Sequence, residues 1–510
     1  MSSKRILGDK SEGGGAGART WWIERAAGVV LLVGASVVAW FVWRSLSWPL
    51  VHDAPLMHYV AWRISQGAAP YRDLFDMNFP GVYVLHLLVV TGLGTGDLAW
   101  RLFDLGWLAL TAATLGALVW PWGRGAAIGA GLTFALYHLA GGAWQAGQRD
   151  FLLCVFLLGG ALGVARWLES PPDARARASL ACGGLALGAA TTLKPHAVLL
   201  AAALAGLVVL RAWRDRGGVA APLGVFVGGA LAAPAAMLAW LAAAGALPAW
   251  RAIVLDYLIP LYSRLGRHTA WAIYRPGTWI PLGAGVAISA ASALAGGRFG
   301  ARHAVAALGV LYGVAHFVGQ GKGWEYHLYP LAAFAIVLLF AEMRPALAWP
   351  RRLAAAPLLV CVLLTGVLLA SKASVTSAAG WERDKAEQAR RLAGELAGLL
   401  TPGDTVQVLD TTGGGIHALL RLRVTEPTRF VYDFHFFHDP DHPTIRALRQ
   451  ELVRGLEARP PKVIVLFERG WPAGGYERVD TFVALRERLA RYDLVRPGPG
   501  YRIYAQRQRS

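Results

Sequence analysis

Apolar residues run through this chain in blocks of about twenty, the length a helix needs to cross the hydrocarbon core of a bilayer. Eleven such blocks begin near residues 26, 102, 125, 151, 178, 195, 218, 277, 303, 327 and 353. A twelfth run, "FPGVYVLHLLVVTGLGTG" (79–96), is ambiguous, and loop charge decides it. If it does not cross, the loops on one side hold Arg124; Arg166, Arg175 and Arg177; Arg211, Arg214 and Arg216; Arg298 and Arg302; and Arg344, Arg351 and Arg352. That matches the basic N-terminal segment and the excess of cations expected on the cytoplasmic side. If it does cross, every later loop inverts. The run 79–96 is therefore expected at the outer interface, or dipping in and returning.

The outer face then receives the 44–100 loop, the "GQRD" turn (147–150), the "LKPH" turn (193–196), a loop near 244–276, "GQGKGWEYH" (319–327) and everything after about 372. Beyond 372 the period changes. The spacing of "GWERDKAEQARRLAGELAGLL" (380–400) predicts an amphipathic helix. "TVQVLD", "RFVYD", "KVIVLF" and "YRIYAQR" read as short strands, with helices near 441–457 and 479–491 between them. The expected organisation is a disordered cytoplasmic tail (1–25) before an uncleaved anchor, a membrane module (26–371) and an extracytoplasmic α/β domain (372–510). The fold class is thus a polytopic α-helical membrane protein of about eleven spans, with an interfacial helix and a small C-terminal α/β domain. No repeat of 20–50 residues is visible, which excludes a solenoid.

Composition supports this pattern. Of 510 residues, 55% are hydrophobic and 16% charged, where a soluble protein carries about a quarter charged. The net charge of +18 does not indicate nucleic acid, because the cations lie in short clusters between apolar runs with no aromatic-interleaved basic face. Cys154, Cys182 and Cys361 all sit inside apolar runs, and there is no CxxC knuckle.

The candidate chemistry gathers on the expected outer face. Asp53, in "HDAP", follows the first span by about ten residues. It reads either as a helix cap with Pro55 in the first turn or as a general base or metal ligand at the boundary. Asp73 and Asp76 share its loop, and Asp150 starts the fourth span on the same face. Ionisable groups at span ends are functional candidates. Arg149, Lys194, Lys322 and His327 are the cationic counterpart, placed where the charge bias would not put them. A bound phosphate or diphosphate accounts for that. Arg251, Arg264, Arg267 and Arg275 extend the argument. "YDFHFFHDPDHP" (432–443) offers His435, His438, Asp439, Asp441 and His442, but Pro440 breaks the helical spacing and turn chemistry explains the stretch. "TTGGGIHALL" (411–420) is similar to a Gly-rich phosphate loop without its GxGxxG order or GK[ST] ending.

In order and placement these stretches resemble the GT-C membrane glycosyltransferases, which use polyprenyl-phosphate-linked sugars. The nearest groups are the bacterial relatives of protein O-mannosyltransferases and the lipid A aminoarabinose transferases. "HDAP" looks like the acidic motif of the first outer loop. "GAAPYRDLFDMNFPGVYVLHLL" and "GLGTGDLAWRL" are similar to the run "G-x-P-Y-x-D … P-P-x-Y" and the "G … R-L" that follows it. "QAGQRDFLLCVFLL" resembles the second outer loop, "GGLALGAATTLKPHAVLL" the "G-L-x-L-G-x-A-x-L-x-K" stretch, and "GKGWEYHLYPLAAF" a "Y-H-x-x-P" turn. The resemblance covers roughly 26–345. It departs at "DMNFPG", where Asn78 falls near a lysine of the aminoarabinose-transferase pattern, so another cation must contact the phosphate.

The resemblance implies transfer of a sugar from a polyprenyl-phosphate donor to an acceptor hydroxyl on a glycan, lipid or protein. The reaction would take place at the outer face of the bacterial cytoplasmic membrane, with inversion. Asp53 would be the base. Arg149, Lys194, Lys322 and His327 would hold the phosphate, with Asp76 also in the binding site. A divalent cation, if used, would sit on Asp53 and Asp150, and oxygen ligands favour magnesium or manganese. The alternatives are a polyprenyl-linked glycan ligase, a lipid or sugar flippase or transporter, and an assembly scaffold.

Overall fold

The computed structural model describes residues 13–216, 218–267, 277–343, 352–471, 474–498 and 500–507. The expected tail, Arg275, Arg344 and Arg351 lie wholly or partly outside these residues. The first ten helices are α1 (Gly13–Ser45), α2 (Ala54–Ser65), α3 (Pro80–Gly92), α4 (Asp97–Val119), α5 (Arg124–Ala140), α6 (Arg149–Glu169), α7 (Ala174–Leu193), α8 (Ala197–Arg214), α9 (Ala220–Ala243) and α10 (Leu247–Ala252). A π-helix, Ile253–Tyr262, continues from α10. Then come α11 (Trp279–Ala295), α12 (Ala301–Gln320), α13 (Tyr329–Ala341), α14 (Arg352–Ala378) and α15 (Trp381–Ala397).

Each of the eleven expected starting points falls on a helix or within two residues of a helix start. Among the described residues, seven segments are long and apolar enough to cross a membrane: Arg25–Ser45, Asp97–Trp122, Arg149–Glu169, Ala197–Arg214, Ala220–Ala243, Ala301–Gln320 and Ala356–Ala397. The others are shorter or more polar. α13 has 13 residues, and all but Leu331 are buried, so it is lined by protein on every side and has no need of a full bilayer's length. The ambiguous run forms α3, also 13 residues. That is about 20 Å of helix against a core of about 30 Å. A side chain at Gly81 would fall 2.3 Å from Thr192 Oγ1, so α3 enters directly against the end of α7. This close approach sets the 76–81 segment beside Lys194.

The C-terminal unit is a four-stranded sheet of order β1-β2-β4-β3: β1 (Val406–Leu409), β2 (Val463–Phe467), β3 (Tyr492–Gly498) and β4 (Tyr501–Gln506). β1 and β2 pair in parallel, Val406 with Val463, across a crossover holding α16 (Gly415–Leu422) and α17 (Pro443–Ala458). Both strands are buried along their whole length, as parallel strands covered on two faces should be. The stretch "RFVYD", expected to be a strand, is not one. Phe430 instead makes a single bridge to Phe75 of the first outer loop, and a 3-10 turn (Phe434–Phe436) follows. Its β-prone side chains pack against another part of the chain rather than the sheet.

Candidate active site

Asp53 stands at the N-terminus of α2, yet its side chain makes no capping hydrogen bond. The carboxylate turns to α6 instead. Its Oδ2 accepts from Arg149 Nη2 at 2.9 Å and from Gln148 Nε2 at 3.4 Å, while His52 Nδ1 lies 3.2 Å from Oδ1. His52 holds φ +60, a left-handed conformation that non-glycine residues rarely adopt and that collects at functional sites. Burial opposes the charged form, but His52 and then Arg149 outweigh it and hold the Asp53 carboxyl well below the usual range. It is an ionised, half-buried and paired carboxylate.

Arg149 and Asp150 open α6, where the helix dipole favours a carboxylate. Consecutive helical residues point about 100° apart, so the two serve different neighbours. Arg149 reaches Asp53, the Asn78 Oδ1 and, at 3.4 Å, the Tyr326 hydroxyl. Asp150 faces Lys194 Nζ at 3.3 Å and His316 Nε2 at 2.6 Å, with Gln320 Nε2 at 3.4 Å. Lys194 also donates to Gln320 Oε1 at 2.7 Å. The predicted Asp53, Arg149, Asp150 and Lys194 thus come together as two adjoining ion pairs.

Asp76 is buried behind them. It accepts from the Met77 amide at 2.6 Å, from Asn78 Nδ2 at 2.9 Å and from the Tyr83 hydroxyl. Burial first, against these hydrogen bonds, raises its pKa. Its effect is to orient Asn78, whose carbonyl oxygen then receives Arg149. Where the resemblance led to a lysine, this chain has an acceptor that aims the arginine. Asp73 lies elsewhere, paired with exposed Arg72.

The other two predicted phosphate ligands differ from each other. His327 is buried beside the cluster, its ring 6.3 Å from that of His316 and its Nδ1 without a partner. Lys322 is committed elsewhere: it donates to the Tyr262 and Leu265 carbonyls at 3.0 and 2.5 Å, and stands 4.1 Å over the Tyr262 ring. Burial and nearby cations push it down to about 8. It caps the C-terminal end of the π-helix, a role that depends on orphan carbonyls rather than on any phosphate. Arg251, Arg264 and Arg267 are exposed on the same loop. Tyr262, Tyr326 and Tyr432 complete the surroundings, all within electrostatic reach of Asp53 and Arg149. Tyr432 comes from the C-terminal unit, which therefore borders the site.

The two other motifs are structural in this fold. In the Gly-rich stretch, the amides of Gly413, Gly414 and Gly415 all donate to the Asp410 carboxylate, at 2.7, 3.0 and 2.9 Å. An internal anion fills the nest. His435 and His438 both meet the Tyr257 hydroxyl of the π-helix, at 2.8 and 2.9 Å, and His442 caps α17. Among the described residues no three His, Cys, Asp or Glu side chains gather to hold a metal. Asp53 and Asp150 each face a cation. This donor set does not fit a divalent ion as placed.

The sequence singles out Asn78 only as a departure from the family pattern, and does not single out His52, Gln148, His316, Gln320, Tyr326 or Tyr432. His316 carried a usable signal, being an ionisable residue inside an apolar span.

The bundle of membrane-length helices, with paired charges at one end and a small α/β unit against them, is a fold shared with solved structures. Among solved structures, the chain is similar to ArnT from Cupriavidus metallidurans bound to undecaprenyl phosphate, at TM-score 0.62 and 15% identity, over 94% of this chain and 98% of that one. The apo state of ArnT aligns at TM-score 0.55 and 14% identity, over 96% and 98%. An oligosaccharyltransferase from Archaeoglobus fulgidus tethered to an acceptor peptide aligns at TM-score 0.52 and 12% identity, over 96% and 75%. No family model and no curated protein sequence matches the chain.

Proposed function

We propose that this protein transfers a sugar from a polyprenyl-phosphate donor to an acceptor hydroxyl at the outer face of a bacterial cytoplasmic membrane, inverting the anomeric carbon. The C-terminal unit lies outside the membrane in this reading, over the 26–371 module. One observation carries the proposal: the Asp53–Arg149 pair, joined through Arg149 and Asp150 to Lys194, within a fold whose solved neighbour holds undecaprenyl phosphate.

The pairing itself supplies a sequence of events. Without substrate, Arg149 neutralises Asp53. A donor phosphate can take a guanidinium bidentately, where Asp53 holds it by one contact, so its arrival draws Arg149 away and leaves Asp53 free to act as a base. The acceptor hydroxyl gives its proton to an Asp53 oxygen while its own oxygen bonds to the anomeric carbon. The bond from that carbon to the phosphate oxygen breaks, and polyprenyl phosphate leaves with its charge held by Arg149 and Lys194. Asp150, His316 and Gln320 keep Lys194 oriented.

The test is glycosyl transfer by purified protein from synthetic short-chain polyprenyl-phosphate sugars, with an envelope extract as acceptor source. Donor consumption that depends on Asp53 is expected. Labelled lipid crossing liposomes with no donor consumed would replace this reading with a flippase.

A further inference from the structure

The first outer loop and the C-terminal unit meet along α2, and two charged recesses border that contact. One is the site above. The other is a groove of about 830 Å³ at the far end of α2, lined by Arg63, Arg72, Arg429, Arg454 and Arg459, with small residues such as Gly455 leaving room between them. α2 has twelve residues, so its two ends lie about 18 Å apart. A short strip of backbone joins groove and site. Arg72 and Asp73 line the groove, and three residues later Asp76 orients Asn78 and so Arg149. The strip is pinned where the Phe75 amide donates to the Arg429 carbonyl at 2.6 Å.

The groove's charge is unbalanced. Its five arginines face three carboxylates, Asp73, Glu426 and Glu451. Asp73 is taken by Arg72 in two contacts of 2.9 Å. Glu451 is taken by Arg429 at 2.6 and 2.9 Å, and that guanidinium also donates to the Tyr71 carbonyl. Glu426 is buried against Gln407 and the Val408 amide, and burial lifts it well above the usual carboxylate range. Arg454 and Arg459 have no ion-pair partner within 4 Å among the described residues, while half-buried Arg63 lies within electrostatic reach of Asp73 and Glu426. Arg454 and Arg459 are exposed at the end of α17, free to turn toward a ligand. Unpaired guanidinium groups converging on a concave wall form a binding site for oxyanions.

We propose that this groove binds the acceptor through an anionic segment, phosphate- or carboxylate-bearing, seated on Arg63, Arg454 and Arg459, with the reacting hydroxyl extending from it toward Asp53 at the other end of α2. The inference rests on the glycosyl-transfer reading, and a binding assay separates the two. The full chain in phosphatidylcholine nanodiscs is titrated with a fluorescent phosphorylated oligomannose and with the same glycan after phosphatase treatment. The phosphorylated probe should bind and the neutral one should not. Arg454→Gln with Arg459→Gln should weaken binding by about tenfold or more, while Asp53→Asn and the remote, exposed Arg391→Gln leave it unchanged. Equal binding of the neutral glycan, full affinity in the double variant, or an equal loss in Arg391→Gln would overturn the proposal. So would binding of phosphatidylglycerol vesicles with no binding of the soluble phosphoglycan, which would assign the groove to lipid headgroups. Arginine-dependent binding in a protein that transfers no sugar would keep the groove and sink the reading above it.

Discussion

Replacing Asp53 by Asn keeps the shape of the side chain and removes both its charge and its basicity. A positioned general base contributes about 10²–10⁴ in rate, which is about 3–5 kcal/mol of barrier, so turnover in Asp53→Asn should fall by that factor. Donor binding should move the other way. In the resting site Asp53 takes one of the guanidinium's two terminal nitrogens, at 2.9 Å, and Arg149 keeps Asn78 and Tyr326 with the other contacts. A hydrogen bond to a charged group contributes about 1.5–3 kcal/mol. Freeing Arg149 from that bond should therefore tighten binding of sugar-free short-chain polyprenyl phosphate, by up to about tenfold once the cost of the unpaired cation is shared. Arg149→Gln should show the opposite pattern, with weaker phosphate binding.

The pH profile adds an independent check. His52 and Arg149 depress the Asp53 carboxyl against its burial. The ionised form then persists down through the ordinary carboxylate range, and kcat/KM loses its base only as pH falls below about 4. Removing Arg149 takes away one of the two depressing charges and moves that acid limb upward. The assay is release of polyprenyl phosphate by purified protein, followed by mass spectrometry, with binding measured separately by calorimetry. Full turnover in Asp53→Asn would refute the assignment. A parallel loss of turnover and phosphate affinity would show that the residue merely holds the site together.

Four further outcomes follow from the geometry. A side chain at Gly147, which holds φ +65, would fall 1.7 Å from Trp100 Cζ2, so Gly147→Ala should cost about 2–5 kcal/mol from left-handed strain and overpacking together. Trimming Trp100 to Leu should recover only the packing part in thermal unfolding. Asp104 receives the Gly147 amide at 2.6 Å and pairs with buried Arg101 and His138; Asp104→Ala should lose about 3–5 kcal/mol by stranding a buried cation, and a Tm within a degree of wild type would contradict that. Lys322, held at about 8 in the fold, binds fewer protons folded than unfolded between pH 8 and about 10. Wild type should gain stability across that window relative to Lys322→Met, and parallel curves would refute the assignment. Since Asp53 and Asp150 already face cations, EDTA should leave transfer unchanged; a rate abolished by EDTA and restored by magnesium or manganese would return both carboxylates to a metal.

Much of the site was legible because apolar periodicity places span ends: Arg149, Asp150 and Lys194 sit at such ends, and Asp53 stands in the loop that follows the first span. What periodicity does not carry is the partner of each charge. Lys322 looks like the other outer cations in sequence, but its partners are backbone carbonyls exposed by a π-helix, which no side-chain pattern announces. The buried Arg101–Asp104–His138 network was passed over because its members interrupt an otherwise apolar run singly. β3 was invisible for a different reason: after Tyr492 its residues are largely exposed, and Pro497 argues against a strand unless it lies at an edge, which is where β3 lies.

The pairing of opposite charges at the site also explains why so many ionisable groups are tolerated there. A lone carboxylate or ammonium group buried at a membrane boundary is costly, whereas paired charges offset much of that cost. Asp53 with Arg149, and Asp150 with Lys194, keep the site close to neutral, and in the proposed reaction both cations would meet the donor phosphate. Such an arrangement makes phosphate binding an exchange of partners rather than a new desolvation. Its consequence is measurable: donor affinity should depend weakly on ionic strength, because the exchange is buried, whereas binding in the open arginine groove should weaken steeply with salt. Equal salt dependence of the two would show that the phosphate does not displace Asp53 from Arg149.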